Sequence, residues 1–308
     1  MSIPGSATPL LLATTAAASA AFQVDRSLRF NSGDSSNLSR TFSAGNRRTF
    51  TWSGWFKRTE AGVSHLLMDT QNGIANTPRA ALTINDQNVF NFSANTTGSS
   101  WNVVVSSNAV LRDFSAWYHL VLSVDTTQAT AANRLKLYIN GLEVTYSSTT
   151  YPSQNVELPF NQALEHRIGC STDNSLYMNG YLANVHFIDG QALAPTDFGE
   201  TDSNNNWNPK AYDGTYGTNG FYLKFADNSS NAALGTDSSG NSNTWTVNNL
   251  VATAGTDGRP GFDVVTYTGN GGTQSVTGFS FQPDFVWTKR TDSTSSHGFF
   301  DTVRGVGK

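Results

Sequence analysis

Trp117-Tyr118-His119-Leu120-Val121-Leu122-Ser123-Val124-Asp125, followed by Arg134-Leu135-Lys136-Leu137-Tyr138-Ile139-Asn140-Gly141, decides the fold. Tyr118, Leu120, Leu122 and Val124 alternate with His119, Val121, Ser123 and Asp125, the period-2 pattern of a strand with one face in a core. Leu135, Leu137 and Ile139 repeat it. Asn140-Gly141 is the strongest short-range signal for a tight hairpin turn, because both central positions of that turn need positive φ. The pair predicts an antiparallel β-sandwich.

Strand patterns continue on either side. In Thr49-Phe50-Thr51-Trp52-Ser53-Gly54-Trp55-Phe56-Lys57, the residues Phe50, Trp52 and Phe56 are expected to face one way. In Gly180-Tyr181-Leu182-Ala183-Asn184-Val185-His186-Phe187-Ile188, Tyr181, Ala183, Val185 and Phe187 are expected to do the same. These blocks resemble three motifs of the laminin G-like, concanavalin A-like jelly rolls: W-x-H-V-A-x-x-x-D…L-x-L-Y-x-N-G, F-T-x-x-x-W-x-K, and a closing G-x-I-D-E-V-R-I-Y-x-x-A-L. Ala183-Asn184 stands where the closing motif carries an acidic pair. The resemblance spans residues 27–200 and implies an all-β, two-sheet antiparallel jelly roll. That family binds glycans and proteins more often than it catalyses.

Composition agrees with such a fold. Only 14% of the 308 residues are charged, against roughly 25% in a typical soluble domain; Ser, Thr, Asn and Gly take their place. Nineteen Phe, ten Tyr and seven Trp supply the core. A net charge of −4 provides no basic footprint for nucleic acid. No apolar run is long enough to insert in a membrane. Cys170, the sole cysteine, excludes an internal disulfide and reads as a buried, inert thiol.

Along the chain we expect four segments. Residues 1–24 carry no acidic or basic side chain; Pro9-Leu10-Leu11-Leu12 and Phe22 make them an apolar arm for docking into an assembly. The arm has the length of a signal peptide but no preceding Lys or Arg, and it reads as uncleaved. Residues 25–250 form the sandwich with extended closing loops. Residues 251–261 are a Gly/Pro-containing linker. Residues 262–308 start a second β module, with strands near Val264–Tyr267 and Phe285–Trp287, too short for a core of its own. The turn-rich run from Asp197 to Leu250, and the Y-T-G-N-G-G-T-Q-S-V-T-G-F-S-F-Q-P-D-F-V-W-T-K-R segment after it, resemble virion proteins of tailed phages, marine ones in particular. There they follow a laminin G-like jelly roll.

Chemistry is sparse. Jelly-roll glycosidases place carboxylates as Glu-x-Asp-x-Glu on one strand; Glu60, Glu143, Glu157, Glu165 and Glu200 are scattered instead. There is no Gly-x-Ser-x-Gly elbow and no His or Cys pair at metal spacing. Calcium is possible though not required: Asp173, in an I-G-x-x-x-D loop like that of pentraxins, and Asp69, in a second loop after the strand His65–Met68, could contribute oxygens. Ser171 stands where the pentraxin-like loop would place a Glu. As turn residues they would need no metal. Trp101, Trp207, Tyr212 and Tyr216 lie among Asn, Ser and Gly, which suits sugar platforms on rim loops; equally, aromatics at loop bases pin loops to a core.

These readings, with the resemblance, imply a non-enzymatic structural protein of a tailed-phage virion, a tail fibre or related tail component. It would dock through its arm to other virion proteins, associate as a homotrimer, and recognise a host-surface glycan or bind neighbouring subunits. Capsid decoration, a polysaccharide depolymerase and a secreted lectin-like adhesin are the alternatives.

Overall fold

The computed structural model describes residues 22–71, 78–97, 100–252, 265–276, 285–290, 294 and 298–301. The arm residues Pro9, Leu10, Leu11 and Leu12 fall outside that set, whereas Phe22 is half-buried. The chain divides into two compact units between Ala252 and Thr253.

In chain order the strands of the first unit are β1 (Leu28–Phe30), β2 (Asn37–Thr41), β3 (Thr49–Arg58), β4 (His65–Gln71), β5 (Arg79–Ile84), β6 (Val89–Asn95) and β7 (Val103–Val110). They continue with β8 (Tyr118–Asp125), β9 (Leu135–Ile139), β10 (Leu142–Glu143), β11 (Tyr146–Thr150), β12 (Glu165–Ile168) and β13 (Gly180–Asp189). The last are β14 (Gly199–Thr201), β15 (Trp207–Pro209), β16 (Phe221–Leu223) and β17 (Thr246–Asn248). One sheet runs β1-β13-β3-β8-β9-β10, with β16 also on β13; the other runs β11-β7-β6-β5-β4-β12-β2-β17. The fold is the all-β, two-sheet antiparallel sandwich that the sequence predicts.

Hydrophobic alternation holds the sheets face to face. Phe50, Trp52, Phe56, Leu120, Leu122 and Val124 from the first sheet meet Leu82, Ile84, Phe90, Phe92, Val103 and Val105 from the second, all buried in one core. Each such side chain contributes about 1.5–3 kcal/mol when fully buried. The hairpin forms as read: Ile139 pairs with Leu142 across Asn140 (φ 48°) and Gly141 (φ 82°).

Two expectations need correction. Tyr181, Ala183, Val185 and Phe187 do not share a face. Asn184 adopts φ 51° in a β-bulge between Ala183 and His186, and an extra residue reverses the alternation. Leu182, Val185 and Phe187 therefore point into the core, while Tyr181 and His186 turn to the opposite face. Likewise Asp69 is not in a loop, because β4 continues through it to Gln71.

The face of β8 opposite the core is also covered: His119 and Val121 are buried. The cover is residues 198–222, where the β14–β15 hairpin and a satellite cluster of Ile188, Phe198 and Tyr216 pack against the first sheet. Residues 221–252 complete the fold itself. β16 pairs with β13, β17 pairs with β2, and Phe221, Leu223, Leu234, Trp245 and Leu250 enter the main core. Asn219 ties this segment down, donating its N–H to Asp189 (3.1 Å) and its amide to Asn161 (2.7 Å) and the Ser43 carbonyl (2.7 Å).

In the second unit Phe285–Thr288 (β18) pairs antiparallel with Gly298–Asp301 (β19). Val264 lies outside the described residues, and Val265–Tyr267 carry no strand.

Candidate glycan-binding rim

At one end of the β4–β7 sheet the structure brings together three residues singled out separately in the sequence. Asp69 is fully buried on β4. Its Oδ2 accepts from the Thr172 backbone N–H (2.9 Å) and hydroxyl (3.0 Å), and its Oδ1 accepts from Nε and Nη2 of Arg79 (both 3.4 Å). Burial pushes the Asp69 carboxyl above its ordinary value, opposed by Arg79 and Thr172. The same guanidinium lies 5.2 Å from the ring centroid of Trp101, a cation–π distance. Asp173 follows Thr172 in the loop after β12. Burial raises its carboxyl, but the hydroxyls of Ser171 and Ser175 outweigh that and hold it below the usual range.

Trp101 remains 43% exposed. Its loop folds back on β6 because Asn102 donates to the hydroxyls of Thr96 (2.8 Å) and Thr97 (3.2 Å), and accepts from the Thr96 N–H (2.9 Å). A partly exposed indole with a guanidinium at cation–π distance is chemistry that can stack on a sugar ring. Arg79, the residue that joins the site, carries no motif signal; only the register Gln71↔Arg79↔Asn95 places it there.

The carboxylates suit calcium less well. Both Asp69 oxygens are taken, one by a guanidinium that already supplies the compensating positive charge. Among the described residues no group of three or more His, Cys, Asp or Glu side chains is placed to hold a metal.

The other three aromatics pack. Trp207 lies over Gly199 and Gly141, where an added Cβ would come within 2.5 and 2.6 Å of its ring. Tyr212 stacks on Phe198 at 5.1 Å. Tyr216 is buried, its hydroxyl 2.9 Å from Nδ1 of His186.

A Ser–His contact exists beneath them, but it is poled against catalysis. Trp207 Nε1–H donates to Nδ1 of His119 at 3.0 Å. An indole can only donate, so Nδ1 is the unprotonated nitrogen and Nε2 carries the hydrogen. It is Nε2 that meets Ser53 Oγ at 2.9 Å, so His119 donates to Ser53 and cannot take its proton. Burial lowers the His119, His166 and His186 pKa values to about 3; all three are neutral near pH 7. Cys170 is a buried free thiol, pushed up by burial to about 11.

The fold defines a two-sheet jelly roll of the laminin G-like, concanavalin A-like class. Residues 30–197 match the family described as the Concanavalin A-like lectin/glucanases superfamily, and the chain belongs to it. Residues 257–308 match a domain family of unknown function. Among curated protein sequences there is no match. Similar solved structures include the native heptameric SAP-like pentraxin of Limulus polyphemus (15% identity, 56% of this chain and 80% of that one, TM-score 0.39). The CBM40 of the Ruminococcus gnavus IT-sialidase is another (13%, 52% and 93%, 0.38). Domains LG4-5 of the mouse laminin alpha1 chain are a third (14%, 65% and 49%, 0.40). These likenesses concern the fold.

Proposed function

We propose that the chain is a non-enzymatic structural protein of a tailed-phage particle, a tail fibre or related tail component, whose sandwich holds a host-surface glycan at the Trp101 rim. The observation that carries the recognition half is the exposed Trp101 indole backed by Arg79, which is itself paired with buried Asp69. The site needs no cofactor. The inverted Ser53–His119 contact and the scattered glutamates support binding over turnover: Glu143 pairs with Lys136, Glu157 with Arg47 and Arg48, and Glu165 with Arg167.

The virion half rests on the resemblance of residues 197–250 and of the segment after the linker to phage virion proteins. An uncharged arm before a compact sandwich suits docking to other virion proteins, and homotrimeric association would complete the short C-terminal module.

The test uses the intact chain and polysaccharide extracted from candidate host surfaces. Retention by wild type, loss in Trp101→Ala with an unchanged melting temperature, and no release of sugar fragments support the reading. Fragment release identifies a depolymerase instead. Cross-linking from residues 1–24 in assembled particles distinguishes tail from capsid neighbours.

A further inference from the structure

The bulge at Asn184 also shapes the outer face of its own sheet, the first. By turning Tyr181 outward it creates a row of side chains across three paired strands: Arg29 on β1 is in register with Tyr181 on β13, which is in register with Lys57 on β3. Trp117, just before β8, continues the row, since the adjacent pair is Phe56↔Tyr118. The order is cation, aromatic, cation, aromatic. The Arg29 guanidinium sits 5.7 Å from the Tyr181 centroid, and the Tyr181 and Trp117 rings are 6.4 Å apart at 63°.

This end of the first sheet lies beyond the cover that buries His119 and His186. Arg29 is exposed, and Tyr181, Lys57 and Trp117 are half-exposed. Among the described residues neither Arg29 nor Lys57 makes an ion pair or side-chain hydrogen bond, unlike Arg47, Arg48, Arg79, Lys136 and Arg167. Asp113 is the carboxylate whose charge reaches Lys57, and its Oδ1 is already engaged by the Ser115 N–H and hydroxyl. In a chain of net charge −4 with few charged residues, two cations that form no ion pair among the described residues, interleaved with two aromatic faces, are a specific feature.

We propose that this row binds an acidic polysaccharide, of the uronic-acid class, lying across the strands. Strands are about 4.8 Å apart, so Arg29 and Lys57 stand roughly 10 Å from each other. Carboxylates of a glycan chain pair with the two cations while the apolar faces of its sugar rings lie on Tyr181 and Trp117. The proposal stands whether or not the Trp101 rim takes a sugar, because the two sites lie on different sheets.

The experiment is affinity electrophoresis of the full chain in gels containing polygalacturonate, neutral dextran or double-stranded DNA. The expected result is retardation by polygalacturonate alone, relieved by high salt. It is weakened about tenfold or more by Arg29→Gln combined with Lys57→Gln and by Trp117→Ala, and it is kept by Trp101→Ala. Among the described residues Arg29 and Lys57 make no ion pair or side-chain hydrogen bond, and the Arg29–Tyr181 contact is exposed, so their replacement shifts the melting temperature by little. Equal retardation by DNA shows a charge effect without sugar recognition and overturns the proposal. So do absence of retardation, equal retardation by dextran, and indifference to the double variant. Loss only in Trp101→Ala assigns binding to the rim, which overturns the row and supports the rim.

Discussion

Trp207 covers His119 and donates its indole N–H to it at 3.0 Å, from a hairpin beyond residues 30–197 that match the family. The contact fixes the imidazole tautomer and closes the outer face of β8. Trp207→Phe keeps most of the ring but removes the N–H, leaving a buried acceptor unpaired. That costs about 1–3 kcal/mol. Urea unfolding of the variant is expected to show a lower midpoint with an unchanged slope.

The buried histidines make the fold acid-sensitive. An unfolded histidine takes up a proton near pH 6.5, while His119, His166 and His186 stay neutral in the folded chain down to about pH 3. Between those limits the unfolded state binds more protons, so stability falls as pH is lowered from about 6.5 toward 3. The slope is about 1.4 kcal/mol per pH unit for each proton taken up. Melting temperatures between pH 7.5 and 4.5 check this. Replacing His186, whose Nε2 has no hydrogen-bond partner among the described residues, by Phe is expected to flatten the dependence; an equally steep profile would assign the acid sensitivity elsewhere.

Arg79 occupies the position next to Asp69 that a cation would need. Adding calcium or a chelator is therefore expected to leave the melting temperature unchanged. Arg79→Met leaves a buried carboxylate without its counter-charge and costs about 1–3 kcal/mol near pH 7, less than for a fully buried pair because Arg79 is partly exposed. The loss shrinks as pH falls, because burial raises the Asp69 carboxyl and favours its neutral form. A calcium-dependent rise in melting temperature would instead make Asp69 and Asp173 ligands.

How far these features were legible in the sequence follows from their periodicity. The Tyr118–Asp125 and Leu135–Ile139 strands and the Asn140-Gly141 turn carry strong local signals, and the fold rests on them. Trp101 was legible as an aromatic in a polar loop. Arg79 was not, because strand register alone brings it to Asp69. The period-2 pattern places Asn184 in alternation, but one αL residue reverses every side chain on that stretch of β13, which periodicity alone does not reveal. Tyr212 and Tyr216 looked like rim platforms because Gly and Asn surround them; those glycines instead allow close packing, as where a Cβ on Gly217 would meet the Asp189 carbonyl at 2.2 Å.

The family match ends at residue 197, yet the folding unit runs to Ala252. A chain cut after Asp197 loses β14 to β17 and the cover on the outer face of the first sheet. It also loses Phe221, Leu223, Phe225, Leu234, Trp245 and Leu250 from the core. At about 1.5–3 kcal/mol each these six side chains represent roughly 9–18 kcal/mol, comparable to the whole stability of a typical domain, about 5–15 kcal/mol. The 22–197 fragment is therefore expected to lack a cooperative thermal transition, whereas 22–252 melts as one unit. Trp245→Ala in the full chain tests the same claim without truncation. Its cost is expected to be about 3–5 kcal/mol, because Trp245 packs edge-on against Phe221 at 5.0 Å and Phe42 at 5.9 Å. A shorter fragment that melts cooperatively, together with a mild Trp245→Ala, would make residues 198–252 an appendage instead of part of the core.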